Sequence, residues 1–125
     1  MIETMTDLPD HVLGFKAVGQ VTGADYETTI IPAVLAMTTR LQHVRMLYQL
    51  GPEFEGFEAK AMWDDAMLGV SRYTSWERVA VVTDEPWIRM GVQALHFVMP
   101  GHFRLFQVAE LDEAKAWVSE APTLS

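Results

Sequence analysis

The sequence predicts a mixed α/β domain with a mainly parallel five-stranded sheet, flanking helices and the element order ββαβαβαβα. Three observations carry that expectation. Short apolar runs alternate with stretches whose apolar residues recur every three to four positions, and strands alternating with helices imply parallel pairing through right-handed crossovers. The first two runs are joined by a tight Pro9-Asp10 turn, which suits an antiparallel hairpin at one edge. The run VAVV at 79–82 is apolar throughout, as a strand covered on both faces should be.

Residues 2–5 alternate and read as an edge strand. Leu8-Pro9-Asp10-His11 reads as a turn, because Pro fixes φ and Asp can bond its own backbone. The return strand spans 12–21 (VLGFKAVGQV), with Gly14 and Gly19 marking a bulge or a close backbone approach. Thr22 and Asp25 have capping-box spacing, with Asp in place of the usual Glu. The helix that follows places Tyr26, Ile30, Ala33, Met37 and Leu41 on one face. Pro32 lies inside it and predicts a kink or a loosened first turn.

Residues 44–50 (VRMLYQL) form a strongly apolar strand that ends at Gly51-Pro52, with Phe54 on the connecting loop. A second helix is expected over about 58–71. A third starts at Pro86, which suits a first turn, and runs to Pro100-Gly101. Residues 103–108 (FRLFQV) form the last strand, and 111–120 the last helix, with Trp117 and Val118 facing inward.

Composition narrows the function classes. A length of 125 residues reads as one domain, since domains usually span roughly 100–200 residues. Half the residues are apolar, enough for a core, and there is no cysteine for disulfides or thiolate–metal sites. Seventeen acidic against nine basic side chains give a formal charge of −8. Nucleic acid needs a basic patch to displace phosphate counterions, so none is expected as a partner. Anionic lipid headgroups are disfavoured for the same reason. The acidic N-terminal stretch lacks the basic and apolar regions of a signal peptide. No apolar run approaches the roughly 18–20 residues of a membrane span, and the chain reads as cytoplasmic.

The residues DYETTIIPAV from Asp25, VRMLYQL from Val44, EGFEAKAMWDD from Glu55, RVAVVTDEPW from Arg78, PGHFRLF from Pro100 and LDEAKAWV from Leu111 resemble the SpoIIAA-like family. That family is related to STAS domains and to CRAL-TRIO lipid-binding domains. The resemblance covers nearly the whole chain and implies the fold more than an activity. STAS anti-anti-sigma factors switch when a serine at the start of the helix after the central strand is phosphorylated and its charge breaks a partner interface. Here no Ser, Thr or Tyr stands between Tyr48 and Ser71, so the switch does not carry over. Glu53 or Glu55 could at most imitate a permanent phosphate.

No nucleophile elbow, HExxH pair, Walker loop or GxGxxG turn occurs, so neither a catalytic centre nor a cofactor is expected. His96 and His102 straddle the end of the third helix and could converge on a metal, but they lack a clear third ligand. Lys60 and Asp64 suit a surface ion pair. Asp84 and Glu85 follow a strand's carboxyl end, where open α/β sheets bind ligands. They also precede Pro86, where carboxylates cap a helix.

The more specific signal is apolar. The third helix has only Arg89, Gln93 and His96 on a polar strip, while Trp87, Ile88, Met90, Val92, Leu95, Phe97, Val98 and Met99 cover the rest. Packing on a sheet needs an apolar stripe of little more than about 100°, so something besides the sheet is expected to cover this helix. On the second helix Ala59, Met62, Trp63, Ala66, Met67 and Val70 form one arc, with Phe57 and Leu68 opposite. The eight methionines add adaptable surface, although such a stripe also serves as plain core. The expected function is a non-catalytic binding domain that holds an apolar small molecule or lipid tail between these helices and the sheet. Phe54, Phe57, Trp63, Met67, Trp87, Met90 and Phe97 are the candidate lining residues. The alternative is a STAS-like interaction module, in which the same surface meets a protein partner or a second copy.

Overall fold

A computed structural model of the chain describes residues 1–58, 76–95 and 102–120. Seven strands are found among them: β1 (Ile2–Thr4), β2 (Leu13–Ala17), β3 (Gly19–Val21), β4 (Val44–Leu50), β5 (Phe54–Phe57), β6 (Trp76–Thr83) and β7 (His102–Phe106). Five make one sheet in the order β1-β2-β4-β6-β7. β1 runs antiparallel to β2, and every other pairing in this sheet is parallel. The mixed, mainly parallel sheet expected from the sequence is therefore present. The expected second helix lies outside the described residues, apart from Glu58, which follows β5 and is not helical.

From β2 to β7 the chain steps across the sheet in one direction. Right-handed crossovers that never reverse put their helices on the same face. Accordingly α1 (Ile31–Leu41) and α2 (Pro86–Leu95) share one apolar cluster, in which Ile31, Val34, Met37 and Ile88 join Met46, Tyr48, Val79 and Val81 of the sheet. The last helix, α3 (Leu111–Ser119), covers the other face, where Ala114 and Val118 meet Leu47, Ala80, Val82 and Phe106. All seven residues of β4 are buried, as its central place requires. Side chains such as Phe15 and Leu47, both fully enclosed, each contribute about 1.5–3 kcal/mol by leaving water.

The expected 12–21 strand is two strands. Gly19 adopts φ +64°, a conformation that glycine tolerates best. The break sends β3 away from the main sheet to pair in parallel with β5. Gly14 fills the other expected role, because a Cβ there would stand 2.8 Å from Met5 Cβ and closer still to Leu8 Cδ1. The first helix begins with the expected capping box, Thr22 Oγ1 accepting from Asp25 N and Asp25 Oδ2 from Thr22 N. A π-helical turn, Tyr26–Ile30, then precedes α1, and Pro32 sits in α1's first turn. The missing Pro N–H is accommodated there, as the loosened start predicts. The wider turn also shifts the helical phase. The buried stripe takes in Val34, and Leu41 is exposed rather than packed.

Tyr26 and Tyr48 meet in this core, their hydroxyl oxygens 3.2 Å apart. Burial pushes both phenols up, Tyr48 well above the ordinary tyrosine value, and each is also raised by the nearby Asp25 charge. Because the folded values lie above the unfolded ones, the associated stability is complete below about pH 10 and is lost as pH rises past it. The urea midpoint of the wild type is expected to fall above that pH more steeply than that of Tyr48→Phe. Equal slopes would mean that the pair is not the alkaline trigger.

Candidate functional site

β5 is the element that sequence reasoning missed. Its four residues, FEGF, break the alternation of a half-buried strand at Gly56, which has φ +125°. Its pairing with β3 joins residues far apart in the chain, Gly19 with Phe54 and Val21 with Phe57. Such long-range pairing leaves no periodic trace in a four-residue window. Phe57 therefore belongs to a strand and not to the second helix, and Phe54 is part of the same strand and not of a loop.

This strand brings three candidate residues together. The rings of Phe54 and Phe57 lie 4.9 Å apart. Phe57 meets Trp87 edge-on at 5.8 Å, and Phe54 and Trp87 are 6.5 Å apart. These are the separations at which aromatic rings attract one another. Phe54 and Phe57 also pack against the main core. Trp87 is 46% exposed, and Met90, one helical turn further along α2, is 70% exposed. On the inner side of α2, Ile88 is buried and Val92 packs on the core. The excess apolar arc of the third helix thus splits into a sheet-facing side and an outward side among the described residues. Trp63, Met67 and Phe97 lie outside the described residues.

Carboxylates adjoin the aromatic residues along the chain. Glu53 and Glu55 flank Phe54, and Asp84 and Glu85 precede Trp87; all four are exposed. Glu53 Oε2 accepts from Lys16 Nζ at 2.8 Å, and that bond raises the lysine's pKa. Arg89 turns inward, Nη1 donating to the carbonyls of Thr83 (2.9 Å) and Phe106 (3.3 Å). It ties the carboxyl ends of β6 and β7 together.

Asp84 also serves the frame. Its Oδ1 accepts the N–H of Val108 at 3.1 Å, capping the short 3-10 turn Val108–Glu110 rather than the helix it precedes. Glu85 supplies the carbonyl that accepts the N–H of Arg89 at 3.1 Å, and its own N–H donates to Thr83 Oγ1. A shallow depression of about 350 Å³ lies between Asp84, Arg89, Gln107 and Ala109. Its two charged residues are already engaged by backbone groups, and the one-directional strand order provides no switch-point crevice there.

Among the described residues no group of three or more His, Asp or Glu is placed to hold a metal ion. His102 is exposed at the start of β7, and His96 lies outside the described residues. No helix of the described residues is long and apolar enough to cross a membrane.

A family model described as SpoIIAA-like matches residues 12–119. Among solved structures, the chain is similar to an uncharacterized protein of the DUF3478 family with a SpoIIAA-like fold from Shewanella loihica PV-4. The two are 26% identical over 94% of this chain and 92% of that one, with a TM-score of 0.71. It is also similar in fold to the anti-sigma factor antagonist SpoIIAA in its unphosphorylated form, at 9% identity, 90% and 96% coverage and a TM-score of 0.56. No curated protein matches.

Proposed function

Because the chain belongs to the SpoIIAA-like family, we propose that it is a non-catalytic interaction module whose contact surface is the Phe54–Phe57–Trp87 cluster extended by Met90. The observation that carries this reading is the exposure of Trp87 and Met90 beside two phenylalanines anchored in the core. A rigid aromatic base with a protruding tryptophan and a flexible thioether has the makeup of an interface centre, where a few such residues supply most of the binding energy. The STAS-like fold supports a regulatory role without chemistry of its own. With no hydroxyl between Tyr48 and Ser71, regulation through a phosphate on that stretch has no acceptor.

A second reading is an apolar small molecule or lipid tail held at the same rings. The partial burial of Phe54 and Phe57 favours it, since they would form an apolar floor. Photo-crosslinking from a benzoylphenylalanine placed at position 90, in the native cell, separates the two. A discrete protein adduct that is lost in Trp87→Ala is expected, because removing an interface tryptophan weakens binding by about 2 kcal/mol or more, roughly thirtyfold. Adducts of lipid mass would transfer the assignment to the second reading. Labelling indifferent to Trp87→Ala would overturn both.

A further inference from the structure

We infer that the partner of this surface is a different protein, presenting an apolar anchor flanked by lysine or arginine. This rests on the interaction-module reading and adds the chemistry of the partner. Along the chain, the exposed carboxylates Glu53 and Glu55 adjoin Phe54, and Asp84 and Glu85 closely precede Trp87. Of these, Glu53 is met by Lys16, and Asp84 accepts a backbone N–H. Glu55 and Glu85 have no ion pair among the described residues, and the nearest arginine of α2, Arg89, is turned onto strand carbonyls. Adjacency in the chain, exposure and the lack of an ion pair at Glu55 and Glu85 among the described residues thus give the apolar centre a negative rim.

That rim selects among occupants. In a twofold dimer built on this face, each rim would meet its own copy, and like charges facing across an interface oppose association. Anionic headgroups and fatty-acid carboxylates meet the same repulsion, within a chain whose formal charge is already −8. A cationic side chain beside an apolar anchor gains from both features. Each exposed pair contributes only about 0.2–1 kcal/mol, so the apolar anchor supplies the affinity and the charges choose the partner.

The test uses three synthetic amphipathic peptides with the same Leu and Trp anchors and with flanks of Lys, Gln or Glu, titrated by fluorescence anisotropy into the full chain. The Lys peptide is expected to bind saturably, one per chain, about threefold to tenfold tighter than the Gln peptide for two exposed ion pairs. The Glu peptide should be weakest, and the differences should shrink near 0.5 M salt, where screening is within a few ångströms, ~4 Å. Glu55→Lys with Glu85→Lys should remove the advantage of the Lys peptide. Glu113→Lys, on α3 across the sheet, should leave it. Trp87→Ser should weaken the Lys and Gln peptides alike. Equal affinity of the Lys and Gln peptides, both dependent on Trp87, would overturn the basic partner while the surface stands. Binding that ignores Trp87→Ser would overturn the surface itself, as general attraction to an acidic protein.

Discussion

Replacing Arg45 with methionine is expected to destabilise the domain by about 2–4 kcal/mol, from the loss of charged hydrogen bonds in a nearly buried pair. Arg45 is buried in the central strand on the face covered by α3. Its Nε donates to Glu77 Oε1 at 2.6 Å, and Nη2 pairs with the same carboxylate. Nη1 donates to the carbonyls of Val118 (3.1 Å) and Glu120 (2.6 Å), at the end of α3. A positive group there also complements the helix dipole. An irregularity between Val44 and Arg45 brings Arg45 beside Arg78 in register. Arg78 repeats the pattern, donating to the Trp117 carbonyl at 2.6 Å and to Glu120 Oε2 at 2.7 Å. Glu77 is one-third exposed and regains water when the pair breaks, so the loss stays below that of a fully enclosed pair. Urea unfolding should show a lower midpoint at constant slope. Arg45→Lys should recover little, because one ammonium cannot span the carboxylate and two carbonyls. Adding Glu77→Met to Arg45→Met should recover part of the loss, since an apolar pair leaves no stranded charge. A loss below about 1 kcal/mol, the scale of one ordinary hydrogen bond, would mean that Ala114 and Val118 alone hold α3 in place.

The two central strands of the main sheet were legible because burial on both faces writes a mainly apolar run. β4 begins and ends where VRMLYQL does, and β6 extends VAVV in both directions to Trp76 and Thr83. The capping box and Pro32 were equally legible, being local chemistry with a local result. What could not be read was non-local. A single run, 12–21, is divided where Gly19 takes φ +64°, and its second part pairs with β5. Nothing in FEGF alone announces that pairing. The candidate site shows the same division. The surplus of apolar residues on α2 was countable from the sequence, because a sheet can cover only one stripe of a helix. That Phe54 and Phe57 would stand against Trp87 depends on β3 holding β5. The position of Asp84 before Pro86 predicts a cap, and it is one, but for Val108, 24 residues away.

Gly56 links that pairing to the proposed contact surface, and Gly56→Ala is expected to cost about 1–3 kcal/mol, the range for a side chain held in a sparsely allowed backbone region. A Cβ at this position would meet nothing within 4 Å, so the cost is conformational and not steric crowding. Its φ of +125° lies where L side chains rarely go. Relief of the strain would alter the pairing of Gln20 with Gly56 and of Val21 with Phe57, and so move the Phe57 ring away from Trp87. The same substitution should therefore weaken the Lys-flanked peptide by a factor approaching that of Trp87→Ser, while the far-ultraviolet signal of the main sheet persists. Gly91 provides the control. It lies within α2, also with nothing within 4 Å of its would-be Cβ, and its φ is not in the glycine-favouring region. Gly91→Ala should stabilise by about 0.5–1 kcal/mol through helix propensity. Equal free space with opposite signs of effect would place the cause in the backbone at Gly56. If Gly56→Ala proved as benign as Gly91→Ala, with peptide affinity intact, β5 would not be what positions the aromatic cluster.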